Sequence, residues 1–230
     1  MQAVILAAGR GTRMGTLTRD TPKPMLQIQG KPVLEHIIDA LPDVCDEVIL
    51  VVGYLQEKIR EHFGASYKGR RIRYVEQKEL NGTGGGLWCA KELLHDKFLI
   101  MNGDDICDAE DMRACATSPD WALLVTHVDE IGSGGLVVVD EHMRVTEILE
   151  KELHRGGPGL ANAGNYFLLD MRIFSYEPVY RPGSTTEFGL PQTVAQAARD
   201  IPIHAIEGHM LIRLTDPEDI QKAEEVISAR

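Results

Sequence analysis

The segment from Leu6 to Leu26, LAAGRGTRMGTLTRDTPKPML, concentrates groups that bind anions. Glycines have no Cβ, so their backbone N–H groups can approach an anion closely. Arg13 offers a planar guanidinium that matches phosphate oxygens, and Lys23, held between two prolines, has little conformational freedom to lose on binding. The spacing predicts a phosphate site, and a solvated basic turn is the alternative.

Two familiar phosphate motifs do not fit this segment. A P-loop requires G-x-x-x-x-G-K-[ST], whereas the glycine–lysine pair at 30–31 is followed by a proline. The dinucleotide fingerprint G-x-G-x-x-G matches at Gly9 and Gly11, but Met14 stands in place of the third glycine. A nicotinamide or flavin site is therefore not expected.

Alternating strands and helices must position these groups. Short apolar runs predict buried strands, and apolar residues at helical spacing predict the helices between them. The alternation favours a Rossmann-like three-layer α/β/α fold with a mostly parallel mixed sheet, and the strand-rich sequence beyond residue 120 predicts a small β-rich lobe that extends the sheet. The predicted strands are 3–8, 47–53, 72–77, 97–105 and about 202–206, and the predicted helices are 31–41, 54–63, 82–94, about 188–199 and 217–229.

Gln77 and Asp104 follow predicted strands, as the glycine-rich segment does. Ligands of such sheets bind outside the carboxyl ends of the strands, so we expect all three features on one rim. The Gln77 amide can both donate to and accept from a nucleobase, and the Asp104 carboxylate suits Mg²⁺. An exposed amide and a turn-capping acid are the structural alternatives. Asp105 is expected to point to the opposite side, because side chains alternate along a strand.

Composition excludes several classes of partner. The formal net charge of −11 argues against a nucleic-acid surface, which normally shows a basic excess. No apolar run approaches the roughly 18 residues of a membrane span, so we expect no membrane partner and a cytoplasmic protein. The four cysteines have no zinc-site spacing and are expected to be reduced thiols.

Residues 6–26 resemble the signature of the sugar-1-phosphate nucleotidyltransferases, G-x-G-T-R followed by P-K-P. Later segments resemble the same family in the same order: EQKELNGTGGGL (76–87), MNGDDI (101–106), GGLVVVD…VTEILEK (134–151), NAGNYFL (162–168) and TDPEDIQKAEEVI (215–227). The resemblance implies an Mg²⁺-dependent enzyme that joins an NTP to a sugar 1-phosphate, giving a nucleotide-diphosphate sugar and pyrophosphate.

The resemblance also implies a role for each matching residue. Arg13 and Lys23 would be catalytic: Arg13 would bind the triphosphate, and Lys23 would bind the sugar phosphate and the reacting α-phosphate. Asp104 would hold Mg²⁺. The nucleotide would be held by Leu6, Ala8, Gly9, Gly11, Thr12, Gln77, Gly82 and Thr83, and the acceptor by Gly135, Glu150, Lys151 and Asn162.

The sequence departs from the family pattern at two places. Arg213 stands where many members have a second metal-binding Asp. Asp216 or the Thr215 carbonyl is one substitute ligand; the alternatives are a metal with a single protein carboxylate and an altered site. The E-K-P of the sugar pocket reads EKE at 150–152. Two alternatives therefore stay open: a cytidylyltransferase acting on an alcohol phosphate such as phosphocholine or inositol phosphate, and a nucleotide-binding regulatory domain without turnover.

We expect one domain over residues 1–230, because no linker-like stretch divides the chain. Its nucleotide-binding half would cover about 1–110 and its acceptor-binding half about 111–230. The predicted partners are an NTP and a phosphorylated small-molecule acceptor, and a homo-oligomer is left open. The hexapeptide repeats that some relatives use for acetyl transfer are not found, so we expect a stand-alone nucleotidyltransferase.

Overall fold

A computed structural model describes residues 1–131, 135–149, 155–209 and 211–229. Glu150 and Lys151, which were predicted to face the acceptor, lie outside the described residues. The strands are β1 (Gln2–Ala7), β2 (Gln27–Ile28), β3 (Lys31–Pro32), β4 (Glu47–Val52), β5 (Ser66–Tyr67), β6 (Arg70–Glu76), β7 (Lys97–Asn102), β8 (Asp105–Cys107), β9 (Trp121–Val128), β10 (Leu136–Val139), β11 (Val145–Leu149), β12 (Gly159–Asp170), β13 (Ile203–Glu207) and β14 (Leu211–Arg213). The helices are α1 (Val33–Ala40), α2 (Gln56–Phe63), α3 (Gly82–Ala90), α4 (Ala109–Ala116), α5 (Leu190–Ala197) and α6 (Glu218–Ser228).

A large mixed sheet forms the centre of the molecule. Its strand order is β11-β10-β12-β7-β1-β4-β6-β5, with β9 paired to β12 and β13 paired to β9. The strands β7, β1, β4 and β6 run parallel, as the alternating sequence pattern predicts. Their carboxyl ends therefore meet at one edge.

Helices cover both faces of this sheet, which confirms the predicted three-layer fold. Along β1, Ala3, Ile5 and Ala7 pack into the core on the side of α1, α2, α4 and α6. Val4 packs into the second core, on the side of α3 and α5. A strand buried on both faces must be apolar at every position rather than at alternate positions, and the sequence of β1 has this character.

The strand-rich second half continues the same sheet. β12 runs antiparallel to β7, and β10 and β11 form an antiparallel pair at the sheet edge. The predicted mixed sheet with a β-rich extension is thereby confirmed. Among the described residues, no helix combines the length and the apolar character that crossing a bilayer requires.

The strand predicted over 97–105 ends earlier than expected. β7 stops at Asn102, and Gly103 and Asp104 form a turn before β8 begins at Asp105. The Gly103 backbone N–H donates to the carbonyl of Leu6 at 2.9 Å, which ties this turn to the end of β1. β8 leaves the large sheet and pairs with β14 instead. Strand alternation therefore does not extend from Asn102 to Asp105.

Candidate active site

A cleft of about 840 Å³ opens at the carboxyl ends of β1, β6 and β7. It lies where parallel α/β sheets bind their ligands. Most of the predicted site residues line this cleft: Leu6, Ala8, Gly9, Gly11, Thr12, Arg13, Lys23, Gln77, Gly82, Thr83, Asp104, Gly135 and Asn162. The fold thus brings together residues that are up to 156 positions apart, from Leu6 to Asn162.

The glycine-rich loop forms one wall of the cleft. Gly11 has a φ of +62°, and a Cβ at this position would lie 2.9 Å from the Lys23 Cβ. A glycine is therefore required here both by backbone conformation and by space. A 3-10 turn over Thr12–Thr18 follows, and it leaves Arg13 exposed on the cleft. This arrangement presents a guanidinium to solvent-borne anions.

Lys23 and Asp104 meet near the centre of the cleft. The Lys23 Nζ lies 2.5 Å from the Asp104 Oδ2 and also donates to the Leu214 carbonyl. Lys23 is only 7% exposed and begins a short 3-10 turn, Lys23–Met25, directly after Pro22. The Asp104 side chain is 31% exposed and remains open to the cleft. The contact between them fixes the lysine ammonium and the carboxylate in position before any substrate binds.

Asp105 lies at the same place, contrary to the expectation that it points away. The turn at Gly103 and Asp104 interrupts the strand alternation, so Asp105 also lines the cleft while remaining buried. Burial, followed by the negative charge of Asp104, raises the pKa of Asp105 to about 6. The Asn102 amide, which donates to Asp105 Oδ2 at 3.0 Å, opposes this rise in pKa.

The nucleotide end of the cleft, as the family resemblance assigns it, is built around Gln77 and the start of α3. The Gln77 Nε2 donates to the Asn81 Oδ1 at 3.0 Å and to the Gly82 carbonyl at 2.9 Å. The Thr83 hydroxyl accepts the Leu190 N–H at 3.0 Å. Both predicted side chains therefore also hold this end of the cleft in shape.

A second segment, which we call the arm (residues 180–188), closes over this end. The Phe188 carbonyl accepts the Gly84 N–H at 2.9 Å, and the Phe188 N–H donates to the Asn81 carbonyl at 2.7 Å. A Cβ on Gly82 would lie 2.3 Å from the Phe188 carbonyl oxygen, so only glycine permits this approach. The arm brings Arg181 and Glu187 to the cleft lining.

The acceptor end, again as assigned by resemblance, is formed by a bulge in β12. The pairing of β12 with β9 shifts between Asn162 and Phe167, and Asn165 adopts a φ of +53° within the bulge. The Asn162 Nδ2 donates to the Asn165 Oδ1 at 2.6 Å, and the Asn165 Nδ2 donates to the Asn102 Oδ1 at 3.2 Å. The Asn162 N–H donates to the Gly135 carbonyl at 2.9 Å. These amides form a linked polar surface.

Arg213 and Asp216 differ in their relation to the cleft. Arg213 lines the cleft, and its Nη2 donates to the Asn162 carbonyl at 2.8 Å. Asp216 is exposed and does not belong to the cleft lining, and its backbone N–H donates to the Asp219 Oδ2 at 2.9 Å. Its assignment as a metal ligand therefore stays a prediction for a residue outside the cleft lining. Thr215 does line the cleft.

The donor set near Asp104 fits a magnesium ion that keeps much of its water. Asp104 and Asp105 line the cleft and would offer carboxylate oxygens, the type of ligand that Mg²⁺ prefers. The described residues contain no group of three or more His, Cys, Asp or Glu side chains that could enclose a metal. A hydrated ion that also binds substrate phosphates requires only one or two such carboxylates.

Four residues that line the cleft were not predicted from the sequence: Asn102, Asp105, Asn165 and Arg181. Asp105 was discounted by strand alternation, and Asn102 was not weighed. Asn165 lies next to a glycine in NAGN, a pattern that could have indicated the bulge. Arg181 and the rest of the arm fall in a stretch without periodicity, and no signal in the sequence placed them.

Comparisons with known proteins agree with this geometry. A family model described as nucleotidyl transferase matches residues 2–198. The chain belongs to this family. The UTP–glucose-1-phosphate uridylyltransferase AglF of Haloferax volcanii is 32% identical over 98% of the chain and 96% of its own length. The D-glycero-alpha-D-manno-heptose 1-phosphate guanylyltransferase of Campylobacter jejuni is 35% identical over 82% of the chain and 84% of its own length.

Two further matches bear on length and shape. The bifunctional protein GlmU of Methanocaldococcus jannaschii is 39% identical over 76% of the chain, which spans only 41% of that protein. A crystal structure of HddC from Yersinia pseudotuberculosis complexed with GMP-PN superimposes with a TM-score of 0.77 at 27% identity, covering 98% of the chain and 99% of HddC. The predicted resemblance to sugar-1-phosphate nucleotidyltransferases is confirmed.

Proposed function

We propose that this nucleotidyl transferase family member joins an NTP to a sugar 1-phosphate and releases pyrophosphate. The observation that carries the proposal is the pair of buried Lys23 and cleft-exposed Asp104, which lies between the Gln77–Thr83 end and the Asn162 end of one cleft. Two phosphorylated substrates bound at these two ends would bring their phosphates to this pair. The assignments of Arg13, Lys23 and the other site residues are part of the proposal.

The reaction requires no protein base or nucleophile. An oxygen of the acceptor phosphate attacks the α-phosphorus of the NTP, and the bond from that phosphorus to the bridging oxygen breaks. Pyrophosphate leaves with the bridging oxygen and its electron pair. The attacking phosphate is already an anion near neutral pH, so the main tasks are alignment and neutralisation of negative charge.

Each task falls to named side chains of the cleft. Lys23 has lost its conformational freedom before binding, so its charge can face the reacting phosphates at little entropic cost. Arg13 would bind the triphosphate with its planar fork. Asp104 would hold Mg²⁺, which when bound neutralises phosphate charge. Gln77 would contact the nucleobase, and Gly135 and Asn162 would contact the acceptor.

The test is pyrophosphate release from a panel of substrate pairs with Mg²⁺. The donors are ATP, CTP, GTP, UTP and dTTP, and the acceptors are the 1-phosphates of glucose, N-acetylglucosamine, mannose and D-glycero-D-manno-heptose, with phosphocholine as the alcohol phosphate. We expect release with one base and one sugar 1-phosphate. Release with CTP and phosphocholine alone would instead identify an alcohol-phosphate cytidylyltransferase. NTP binding without release from any pair would indicate a regulatory domain and would overturn the proposal.

A further inference from the structure

Arg213 is held firmly at the middle of the cleft. It is the register partner of Asp105 in the β8–β14 pair, and its Nε lies 3.7 Å from the Asp105 Oδ1. The following residue is fixed as well, because the Leu214 N–H donates to the Asp104 carbonyl and the Leu214 carbonyl accepts from Lys23. The guanidinium therefore does not belong to a loose terminal segment.

Arg213 contacts the acceptor side of this centre from the separate β8–β14 pair. The nucleotide residues follow β1 and β6, whereas Asn162 lies on β12, beyond β7 in the strand order. Arg213 Nη2 bonds to the carbonyl of Asn162, whose own N–H bonds to Gly135. Arg213 thus connects Asp105, at the start of β8, with the two described acceptor residues.

The positive charge of Arg213 is less closely paired than that of Lys23. Lys23 is paired with Asp104 at 2.5 Å, a full ion pair, whereas Arg213 is only loosely paired with Asp105 at 3.7 Å. A guanidinium carries five N–H donors, and Nη1 makes no hydrogen bond to the residues that the structure describes. The side chain is 30% exposed and lines the cleft. A cation with spare donors at this place suits a doubly charged phosphate group.

We propose that Arg213 binds the phosphate group of the acceptor and fixes it beside Lys23 for attack. This inference rests on the proposed function, because it assigns a residue to one of the two substrates of that reaction. Lys23 then provides a point charge and Arg213 a planar fork on either side of the attacking phosphate. The Asn162 carbonyl and the Asp105 carboxylate orient the fork.

The test compares Arg213→Gln and Arg213→Lys with Arg199→Gln, a control on an exposed arginine just after α5. For the active pair found in the panel, we expect Arg213→Gln to raise the acceptor KM at least tenfold. Arg213→Lys keeps the charge without the planar fork, so its acceptor KM should lie between those of the wild type and Arg213→Gln. NTP affinity, measured by calorimetry without acceptor, should change less than twofold in every variant. Arg199→Gln should match the wild type.

A second readout uses inorganic phosphate, which should inhibit the wild type competitively against the acceptor. We expect Arg213→Gln to weaken this inhibition at least fivefold, an effect that a purely structural role would not produce. Equal losses of acceptor and NTP affinity, or an unchanged acceptor KM in a folded Arg213→Gln variant, would overturn the inference while leaving the proposed function intact. If wild-type protein releases no pyrophosphate from any pair, both fall together.

Discussion

At the residue scale, the cleft depends on side chains that are fixed before substrate arrives. Lys23 is the clearest case, because its buried ammonium group is held between an acid and a backbone carbonyl. Its partners come from two distant parts of the chain, Asp104 and the carbonyl of Leu214. In the proposed reaction, such preorganisation would lower the cost of aligning two polyanions.

Replacing Lys23 tests that alignment directly. We expect Lys23→Ala to reduce kcat/KM by about 10²- to 10³-fold, the loss typical of one electrostatic contact in a transition state. Lys222→Ala, which removes an exposed lysine paired with Asp219, is the control and should stay within twofold of the wild type. Steady-state pyrophosphate release measures both variants. Lys23→Ala with near-normal turnover in a folded protein would refute the role given to Lys23.

The glycine at position 11 supports Lys23 through sterics. In Gly11→Ala the new methyl group meets the Lys23 Cβ at 2.9 Å and the backbone has a φ of +62°. We expect a loss of about 2–3 kcal/mol in the free energy of unfolding, from overpacking added to the cost of a positive φ. Urea titration gives this value. Gly30→Ala is the control for backbone strain alone, because Gly30 has a φ of +74° and a Cβ there would meet nothing within 4 Å. Its free energy of unfolding should fall by only about 1 kcal/mol. Equal losses in the two variants would contradict the steric argument.

At the element scale, turns and bulges rather than regular strands decide which side chains reach the cleft. The sequence predicts the parallel strands well, because a run such as QAVILA has few alternatives to a buried strand. The predicted strand over 97–105 passes through the Asn102-Gly103 pair, a turn signal at which β7 in fact ends. Asp105 was missed for this reason. The arm was missed because backbone contacts with Gly84 and Asn81 hold it, and these leave no periodic pattern.

A histidine ties helix α4 to the segment between β13 and β14. The Asp111 carboxylate accepts from the His209 backbone N–H and lies 2.8 Å from the His209 Nδ1. The hydrogen bond to Asp111 raises the pKa of His209 above its ordinary value. The resulting stabilisation is complete below the unfolded-state pKa of about 6.5 and is lost as pH rises through the higher folded-state pKa.

We therefore expect the difference in stability between wild type and His209→Ala to be larger at pH 5.5 than at pH 8.5. Urea titrations at a series of pH values measure this difference. His142→Ala, which removes a largely exposed histidine between β10 and β11, is the control. A difference that grows with rising pH would reverse the sign and refute the assignment.

At the scale of the whole molecule, two cores on either side of one sheet hold the two ends of the cleft together. The sequence predicts this layout from alternating strands and helices, and the family match over residues 2–198 agrees with it. The division of the chain into two halves near residue 110 stays a prediction. β7, before that boundary, pairs directly with β12, after it. The pairing partners of β9 and β13 could not be read from the sequence, because several strands of similar apolar character compete for each position.

One buried group in the first core is poorly satisfied. Tyr166 is 1% exposed, and its hydroxyl has no hydrogen-bond partner among the described residues. Burying such a group costs free energy, so we expect Tyr166→Phe to leave stability unchanged or to raise it by up to about 1 kcal/mol. In Tyr74→Phe, by contrast, the bond from the hydroxyl to the Gly64 carbonyl at 2.7 Å is lost, and stability should fall by about 0.5–1.5 kcal/mol. Thermal melts of the two variants decide the matter, and a clear loss in Tyr166→Phe would show that its hydroxyl is bonded.

The bond from Lys23 to the Leu214 carbonyl has a consequence for the protein while it is being made. The two residues are 191 positions apart, so at synthesis rates of about 5–20 residues per second the lysine waits roughly 10 to 40 s for this partner. During that interval β1, β4, β6 and β7 are already available to pair, but the cleft lacks its final strand. A nascent chain can therefore pair these four strands early, whereas the contact between Lys23 and Leu214 forms only after β14 has been made.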